Sequence, residues 1–446
     1  MKLWDKGYTV SDRIDRFTVG NDRELDLYIA RFDILGTMAH VRMLRSVGLV
    51  GEEEGSTLLG TLRSLYDSAC NGSFTIEDGI EDVHSQVELD LTRTLGDMGK
   101  KVHTGRSRND QVLVDIKLFS RDGIRRVADK VKALFEALQD ASERYRDVLM
   151  PGYTHLQVAM PSSFGLWFGA YAESLATDLN QLLGAWNTVN CNPLGSAAGY
   201  GSSAPLDRRM TTALLGFRDL DYNSVYAQMS RGKSERIVAF ALSCIAETLG
   251  RFAADCCLFN SQNFGFVKLP DELTTGSSIM PHKKNPDVFE LIRAHCNKIC
   301  GAPQALRLLC TNLPSGYFRD MQLTKELFFP LFDEIESCLD IAVFAIPNMK
   351  VAENLMSDPK YMSAFSVEEV NRLVSEENVP FRDAYRQVAG RILDGSFRFD
   401  GELRHTHEGS IGNLCNREIA SKFNDVYRAF GFEAVDDAVS ALLADA

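Results

Sequence analysis

Apolar residues in the middle of the chain recur with the period of an α-helix. They stand at Ile124, Val127, Val131, Leu134 and Leu138, with charged residues between them. This spacing places them on one stripe of a helix. No glycine or proline interrupts residues 124–149, so the stretch predicts a helix of many turns. Helices of that length are typical of bundles rather than of α/β units.

Three further stretches have the same character. They span residues 164–189, 233–259 and 286–309. Short apolar strands do not alternate with these stretches, so a parallel sheet is not expected. The predicted fold class is all-α, with a central bundle of long helices.

Glycine and proline cluster between the long stretches. The clusters lie at Pro151-Gly152 and within 192–205, 269–286 and 313–319. Pro151-Gly152 is expected to end the helix that contains Ile124. Loops held by a rigid scaffold often carry the chemistry of a protein.

The spacing of apolar residues and breakers changes along the chain, and this change predicts three domains. They are an N-terminal helical domain at 1–105, a central long-helix bundle at 106–350 and a C-terminal helical domain at 351–446.

Charge and terminal sequence limit the classes of function. Aspartate and glutamate outnumber lysine and arginine by 61 to 48, which argues against a nucleic-acid-binding protein. A local basic pocket for a small anion is still compatible with this balance. The first ten residues lack the apolar segment of a signal peptide, and no run of about 18 apolar residues suggests a membrane span. A cytoplasmic protein is expected.

Ten cysteines are present. Cys256 and Cys257 are adjacent, and Cys296 and Cys300 are one helical turn apart beside His295. They could form a metal or redox pair, or they could be small apolar residues of helix cores. The second interpretation is favoured because the spacing is not that of a zinc site.

The segment HTGRSRNDQ, at 103–111, precedes a helix and carries the guanidiniums of Arg106 and Arg108. Arginine binds carboxylates in a bidentate manner, and a helix N-terminus adds free N–H donors. The segment therefore suits a carboxylate-binding loop. The alternative is a solvated helix start that is capped by Asn109 or Asp110.

Three other polar segments follow breakers. GYTHLQ, at 152–157, offers His155 as a general acid or base, or simply as a surface residue. TTGSSIMPHKKNP, at 274–286, combines hydroxyls and ammoniums before a helix that is expected to open at Pro286. It suits activation at an anionic carbon centre, and its alternative is a flexible linker. YFRDMQLTK, at 317–325, could carry chemistry, or it could simply be a polar helix start.

Taken together, these segments resemble a known family. GSSIMPHKKNP resembles the signature of the fumarase/aspartase superfamily, whose members release fumarate or a related product by β-elimination. GYTHLQ and HTGRSRNDQ are similar to the two other signature regions, and HTGRSRNDQV is similar to the form found in argininosuccinate lyases. Further similarity covers Asp33 to Gly36, His40, Glu81 to His84, 261–266 and 380–384, and so nearly the whole chain.

The resemblance implies a helical subunit in three domains that assembles into a homotetramer around a shared helix core. Each active site would contain residues of three subunits. The implied reaction is the anti β-elimination of argininosuccinate to L-arginine and fumarate, in arginine biosynthesis, with no metal or organic cofactor.

The resemblance also implies residue roles. Ser277 would be the general base, with Lys283 as the cation beside it, because a serine base needs a positive charge and backbone N–H groups around its alkoxide. His155 would be the general acid or proton shuttle, oriented by Glu290. The implied substrate-binding residues are Arg108, Asn109, Thr154, Arg231, Asn285, Tyr317, Gln322 and Lys325.

Some positions depart from the family pattern. Gly20 stands where a substrate-contacting serine is usual, and Met160 replaces a glutamine. The segment 229–232 keeps only Arg231, and the middle of 193–208 is altered. These departures leave open an N-acylated argininosuccinate or another succinyl adduct, such as adenylosuccinate, as substrate. A non-catalytic, crystallin-like protein and a regulatory module that holds an anion through Arg106 and Arg108 are further alternatives.

Overall fold

The computed structural model describes residues 11–444. The helices of this range are α1 (Asp12–Val19), α2 (Asp22–Leu25), α3 (Ala30–Ser46), α4 (Glu52–Cys70), α5 (Val83–Leu95), α6 (Asp97–Lys100), α7 (Arg108–Arg144), α8 (Phe164–Val189), α9 (Arg208–Leu214), α10 (Ser224–Met229), α11 (Lys233–Asn260), α12 (Asp287–Leu309), α13 (Thr324–Phe328), α14 (Pro330–Asn348), α15 (Ser366–Glu376), α16 (Phe381–Leu393), α17 (Asn416–Arg428) and α18 (Phe432–Ala444). Short 3₁₀ turns lie at Asp26–Tyr28, Lys101–His103, Asp271–Leu273, Arg319–Leu323, Leu355–Ser357 and Pro359–Phe365.

The strands within the same range are β1 (Leu149–Thr154), β2 (Gln157–Ser163), β3 (Cys191–Asn192), β4 (Asp219–Leu220), β5 (Val267–Lys268) and β6 (Lys350–Val351). They form three two-stranded pairs: β1 with β2 and β5 with β6 are antiparallel, and β3 with β4 is parallel. Helices therefore dominate the described chain, and the predicted all-α class is confirmed.

Five long helices form the central bundle. α7 packs against α8 and α14, α11 packs against α8 and α12, and α12 also contacts α14. The predicted helix at 164–189 matches α8, and those at 233–259 and 286–309 match α11 and α12 to within a residue at each end. At its N-terminal end α7 extends beyond the apolar stripe that predicted it. The stripe begins at Ile124, whereas the helix begins at Arg108.

The expectation that Pro151-Gly152 ends this helix was wrong. α7 ends at Arg144, and Pro151-Gly152 lies within β1. The reason is the close crossing of α7 and α8, where a Cβ on Gly165 would lie 2.5 Å from the Cα of Arg146. The hydroxyl of Ser142 donates to the carbonyl of Gly165 across this crossing. The chain therefore leaves α7 before Pro151 and returns through a hairpin.

β1 and β2 form that hairpin. Thr154 pairs with Gln157 at its tip, and Leu149 pairs with Ser163 at its base. The two turn residues, His155 and Leu156, have φ values of 53° and 57°. Two central residues with positive φ are the mark of a type I′ turn, whose twist matches that of the strands.

A second, small core lies near the C-terminus. It contains residues of α15 and α16 together with Phe397, and it is separate from the main core. α17 packs instead on α8. The three-domain division stays a prediction.

All ten cysteines are free. Cys256, Cys296 and Cys338 are buried among the apolar residues of the long helices, which fits the interpretation as core residues. Within 11–444 one helix, α11, is long and apolar enough to cross a membrane, and 56% of its most apolar window is buried in the bundle.

Candidate active site

A polar cleft forms where the start of α7, the start of α5, the turn around α2 and the segment 317–325 meet. Its volume is about 120 Å³. Six of the predicted substrate-binding residues line it: Arg108, Asn109, Arg231, Tyr317, Gln322 and Lys325. They come from three separate segments of the chain, and the fold brings them together in one cleft.

The start of α7 is fixed by a capping box. Ser107 is the N-cap residue, and its backbone N–H donates to the carboxylate of Asp110 at 2.8 Å. The other oxygen of Asp110 accepts from the backbone N–H groups of Gly195 and Ala197, at 2.9 and 3.0 Å. The interpretation of Asn109 or Asp110 as the cap was therefore wrong. Asp110 instead closes the box and ties the loop after β3 to the cleft.

Arg108, in the first turn of α7, is held by two carboxylates. It forms an ion pair with Asp82, and its Nη1 lies 3.5 Å from the carboxylate of Glu81. Burial alone would lower the pKa of Arg108, but Asp82 and Glu81 outweigh burial and raise it. The guanidinium therefore presents a permanent positive charge at the cleft wall.

Arg106 does not join Arg108 at the cleft. It is buried, and its Nη1 donates to the hydroxyl of Thr37 at 2.9 Å. The expectation of two carboxylate-binding guanidiniums in this segment was wrong, because Gly105, at a φ of 76°, turns the chain so that Arg106 enters the core.

Lys325 lies at the floor of the cleft between two acids. Its Nζ is 2.5 Å from Asp26 and 3.2 Å from Asp22. Burial lowers the pKa of Lys325, but Asp26 and Asp22 outweigh it and raise the pKa. Burial raises the pKa of Asp22 to about 6 against the opposing effect of Lys325. The floor therefore combines a fixed cation with a carboxyl that titrates near neutral pH.

Arg231 holds one wall of the cleft in place. Its Nε donates to Glu235 at 2.9 Å, and its Nη2 donates to the carbonyl of Met321 at 2.9 Å. Gln322 in turn donates from Nε2 to the carbonyls of Thr18 and Val19, at 3.0 and 3.1 Å. In this conformation both side chains therefore position segments around the cleft.

The acidic side of the cleft was not predicted. Its acids are Asp22, Asp26, Glu81 and Asp82. Arg319 and His84 also line the cleft. Glu81 and Asp82 directly precede α5, and Asp82 is its N-cap. That position is common for acids with a purely structural role, so the family-like segment Glu81 to His84 was not expected to belong to a site.

His84 is buried behind the cleft with two carboxylates. Its Nδ1 lies 2.7 Å from Asp33 and 3.6 Å from Asp115. Burial lowers the pKa of His84, but Asp33 and then Asp115 outweigh it and raise the pKa to about 9. The ligand atoms of these three residues lie within 4.8 Å of one another, a spacing that could hold a metal ion. The imidazole, with its raised pKa, and the nearby Arg106 place positive charge beside the two acids.

The loop 274–286 is closed at its base by two backbone hydrogen bonds between Thr275 and Asn285, at 2.9 and 3.2 Å. Within the loop, Oγ of Ser277 accepts from the backbone N–H groups of Met280 and Ile279, at 3.2 and 3.4 Å. These donors are of the kind that a serine alkoxide needs. α12 begins at Asp287, with Pro286 as its N-cap residue.

The remaining predicted residues lie apart from the cleft. Thr154 and His155 are exposed at the tip of the β1–β2 hairpin, Lys283 is exposed in the loop 274–286, and Glu290 is exposed in the first turn of α12. Neither a hydrogen bond nor an ion pair joins His155 to Glu290, or Lys283 to Ser277, within residues 11–444 of one chain. One chain therefore carries the predicted site in separate parts.

Comparison with known proteins first gives the class of protein. A family model described as a lyase matches residues 9–301. Argininosuccinate lyase of Phocaeicola vulgatus is 61% identical over 442 residues, which cover 99% of each chain. The chain therefore belongs to the argininosuccinate lyase family, and the predicted membership is confirmed.

Solved structures agree on the fold. An EDDS lyase in complex with formate has a TM-score of 0.76 at 22% identity, covering 98% of this chain and 96% of its own. A class II fumarase from Schistosoma mansoni has a TM-score of 0.71 at 16% identity, covering 93% and 94%.

Proposed function

We propose that this protein cleaves argininosuccinate to L-arginine and fumarate by anti β-elimination. The observation that carries the proposal is the cleft, in which Arg108, Arg231 and Lys325 face Asp22, Glu81 and other acids. Argininosuccinate has two carboxylates on its succinyl half, a guanidinium where the two halves join, and an ammonium and a third carboxylate at the end of its arginine half. A cleft with both signs of charge suits such a substrate. The close relatives named argininosuccinate lyase support this substrate over adenylosuccinate, an acylated adduct or a non-catalytic role.

The chemistry divides between base and acid. The C–H group that loses the proton is a very weak acid, and the carbanion that forms is an aci-carboxylate dianion. Cations and hydrogen-bond donors must therefore lie where the negative charge develops. Ser277 removes the proton as an alkoxide held by the N–H groups of Ile279 and Met280, with Lys283 as its cation. Lys283 and Asn285 hold a succinyl carboxylate. His155, oriented by Glu290, protonates the leaving nitrogen or relays the proton.

The proposed assembly is a homotetramer in which three subunits contribute to each site. Two observations support it. The hairpin tip and the loop are exposed on one chain, and both carry large apolar residues at the surface: Leu156 is 72% exposed and Ile279 is 82% exposed. Such residues are favoured at interfaces between subunits. The proposed location is the cytoplasm, with neither nucleic acid nor membrane as a partner.

The test is fumarate release, followed by ultraviolet absorbance, from purified protein given argininosuccinate. The wild type is expected to release fumarate and arginine in equal amounts, and Ser277→Ala is expected to lose at least about a thousandfold in kcat, the scale for removing a catalytic group. Ser278→Ala is the matched control, because it removes the neighbouring hydroxyl of the same loop; it is expected to stay active. Silence of the wild type on argininosuccinate would refute the proposed substrate, and an active Ser277→Ala would refute the proposed base.

A further inference from the structure

A basic cavity lies beside the cleft, between the start of α11, the end of α12 and the segment 311–316. Its volume is about 400 Å³, which is larger than that of the cleft and within the usual range for small-molecule sites. Arg231 lines both the cavity and the cleft. The cavity is therefore a neighbour of the candidate active site, and the other residues that line it have no role in the reaction proposed above.

Helix geometry brings three cations to this cavity. Lys233 and Arg236 are three positions apart at the start of α11, and Arg307 and Cys310 are three positions apart at the end of α12. Residues at this spacing share one face of a helix. Because α11 and α12 pack against each other, the two faces meet, and all four side chains line the cavity.

The three cations are available to a ligand. Lys233, Arg236 and Arg307 are exposed, and within residues 11–444 their side chains form neither a hydrogen bond nor an ion pair. The Nζ of Lys233 lies 5.5 Å from the centre of the Tyr226 ring, a contact that leaves its charge without a neutralising acid. The cavity therefore presents three positive charges that no described carboxylate pairs with.

The acids near the cavity do not cancel these charges. Among the described residues that line it, none is an aspartate or a glutamate. Glu235 accepts from Nε of Arg231 at 2.9 Å, so the two charges of this buried pair balance each other. Burial raises the pKa of the Cys310 thiol, and Glu235 and Asp320 raise it further, which makes Asp320 the other acid close by. Even with Asp320 set against the three cations, the charge of the cavity stays positive, in a chain whose net charge is −13.

The remaining lining suits an anion with several oxygen atoms. Thr311 and Ser315 add hydroxyl groups beside the cations. Arginine and lysine bind phosphate and carboxylate oxygens through charge-assisted hydrogen bonds. A monoanion would leave most of the positive charge of the cavity unbalanced, whereas a multivalent anion would not.

We propose that this basic cavity binds a small multivalent anion, a phosphate compound or a polycarboxylate, through Lys233, Arg236 and Arg307. The site is separate from the cleft, where Arg108 and Lys325 lie. The proposal is independent of the proposed reaction, because none of its three cations takes part in that reaction.

The test is isothermal titration calorimetry of the full-length protein at constant ionic strength, with pyrophosphate in one titration and citrate in another. Both probes are multivalent at neutral pH. At least one of them is expected to bind along a saturable curve, and tighter binding of pyrophosphate or of citrate tells whether the site prefers phosphate or carboxylate oxygens. Acetate is the control ligand, and it is expected to bind at least about tenfold more weakly, because it can engage fewer charged donors.

Single substitutions locate the site. Arg236→Gln and Arg307→Gln each remove one charge at an exposed position, so the core stays intact, and each is expected to weaken binding about tenfold. Arg251→Gln is the matched control, because Arg251 is an exposed arginine on the same helix as Arg236, 15 positions and about 22 Å further along its axis. It is expected to keep the affinity of the wild type. Arg108→Gln, which removes a cation of the cleft, is expected to keep it as well.

Three outcomes would overturn the proposal. The absence of saturable binding of both probes would mean that the cations are neutralised in another way, for example by acids of a neighbouring subunit. Unchanged affinity in both Arg236→Gln and Arg307→Gln would place the anion elsewhere. A loss in Arg108→Gln as large as that in Arg236→Gln would place it in the cleft. All readings come from binding heats, so they stand whether or not the protein turns over argininosuccinate.

Discussion

Gly20 shows how one backbone angle decides which side chain a position accepts. Its φ is 54° and its ψ is −131°, a combination that is essentially restricted to glycine. Space does not restrict the position, because the nearest atom to an added Cβ is Nε2 of Gln322 at 3.9 Å. The replacement of the family's usual serine by Gly20 is therefore tied to the turn between α1 and α2.

Gly20→Ser is expected to lower the free energy of unfolding by about 1–3 kcal/mol, the cost of a side chain in this backbone region. Urea unfolding measures the loss. Gly184→Ala is the matched control, because Gly184 lies within α8 with open space around it. It is expected to gain up to about 1 kcal/mol in stability. Unchanged stability of Gly20→Ser would mean that this turn adapts to a serine.

His84 gives the protein a pH-dependent contribution to stability. Its pKa is raised from 6.5 to about 9 in the folded state by Asp33 and Asp115, which outweigh burial. A raised folded pKa means that the contribution is complete below pH 6.5 and is lost as pH rises towards about 9. The full shift corresponds to about 3 kcal/mol.

Thermal unfolding between these pH values tests this contribution. The Tm of the wild type is expected to fall as pH rises, and His84→Gln is expected to have a lower Tm at neutral pH with a flatter dependence. His407→Gln, which changes an exposed histidine, is expected to keep the slope of the wild type. A slope that His84→Gln leaves intact would assign the titration to another group.

At the scale of elements, Asp110 joins a helix to a loop. It accepts one hydrogen bond from the cap of α7 and two from the loop that follows β3. Asp110→Ala is expected to lose about 2 kcal/mol of stability. KM for argininosuccinate is expected to rise as well, because the start of α7 carries Arg108 and Asn109. Urea unfolding and fumarate release measure the two effects.

Asp207→Ala is the control variant for Asp110→Ala, because it removes a helix cap without changing a residue of the cleft. Asp207 caps α9 through the backbone N–H of Met210 at 2.9 Å. Its loss is expected to cost about 1 kcal/mol and to leave KM unchanged. An unchanged KM in Asp110→Ala would show that the loop stays in place without its carboxylate.

The elements that the sequence predicted best are those with a long apolar period. α8 has the predicted bounds because it contains no proline and its apolar stripe continues to both ends, although Gly165, Gly169 and Gly184 lie within it. The hairpin was missed because its turn, His155-Leu156, lacks the asparagine and glycine that usually mark positive φ. Pro151-Gly152 also resembled a helix end. Whether a breaker ends a helix or bends a strand depends on the α7–α8 crossing, which is a tertiary contact.

The site was predictable where its residues belong to long motifs. The segments at 103–111 and 317–325 supplied Arg108, Asn109 and Lys325, which the fold brings to one cleft. The opposing acids were missed because Asp22 begins the short helix α2 outside any motif, and because Asp82, although it lies in the family-like segment 81–84, stands at the N-cap position of α5, where acids are common for structural reasons. The inward direction of Arg106 was also missed, since two arginines in one segment look alike until the fold separates them.

At the scale of the whole molecule, one chain keeps apart the residues that the proposed reaction needs in one active site. Arg108 and Lys325 lie in the cleft, whereas the loop with Ser277 and the hairpin with His155 are exposed. The proposed tetramer would bring these parts together from different subunits. Four chains of 49.7 kDa are expected in light scattering, and a monomeric but active protein would contradict shared sites.

Complementation between inactive variants tests the sharing directly. Ser277→Ala and His155→Asn are each expected to be inactive alone. When mixed subunits are dissociated and reassembled, a site that takes its loop and its hairpin from different subunits becomes intact with a probability of about one in four. Recovered fumarate release near a quarter of the wild-type rate is therefore expected.

Ser277→Ala mixed with Lys283→Ala is the matched control for that experiment. Both changes lie in the loop 274–286, so every subunit carries one damaged loop and no intact loop can form in any mixture. This pair is expected to stay inactive, although its subunits reassemble equally well. If the first pair also stays inactive while mass spectrometry shows mixed tetramers, Ser277 and His155 act within one chain. The exposed hairpin would then have to close onto the loop of its own subunit.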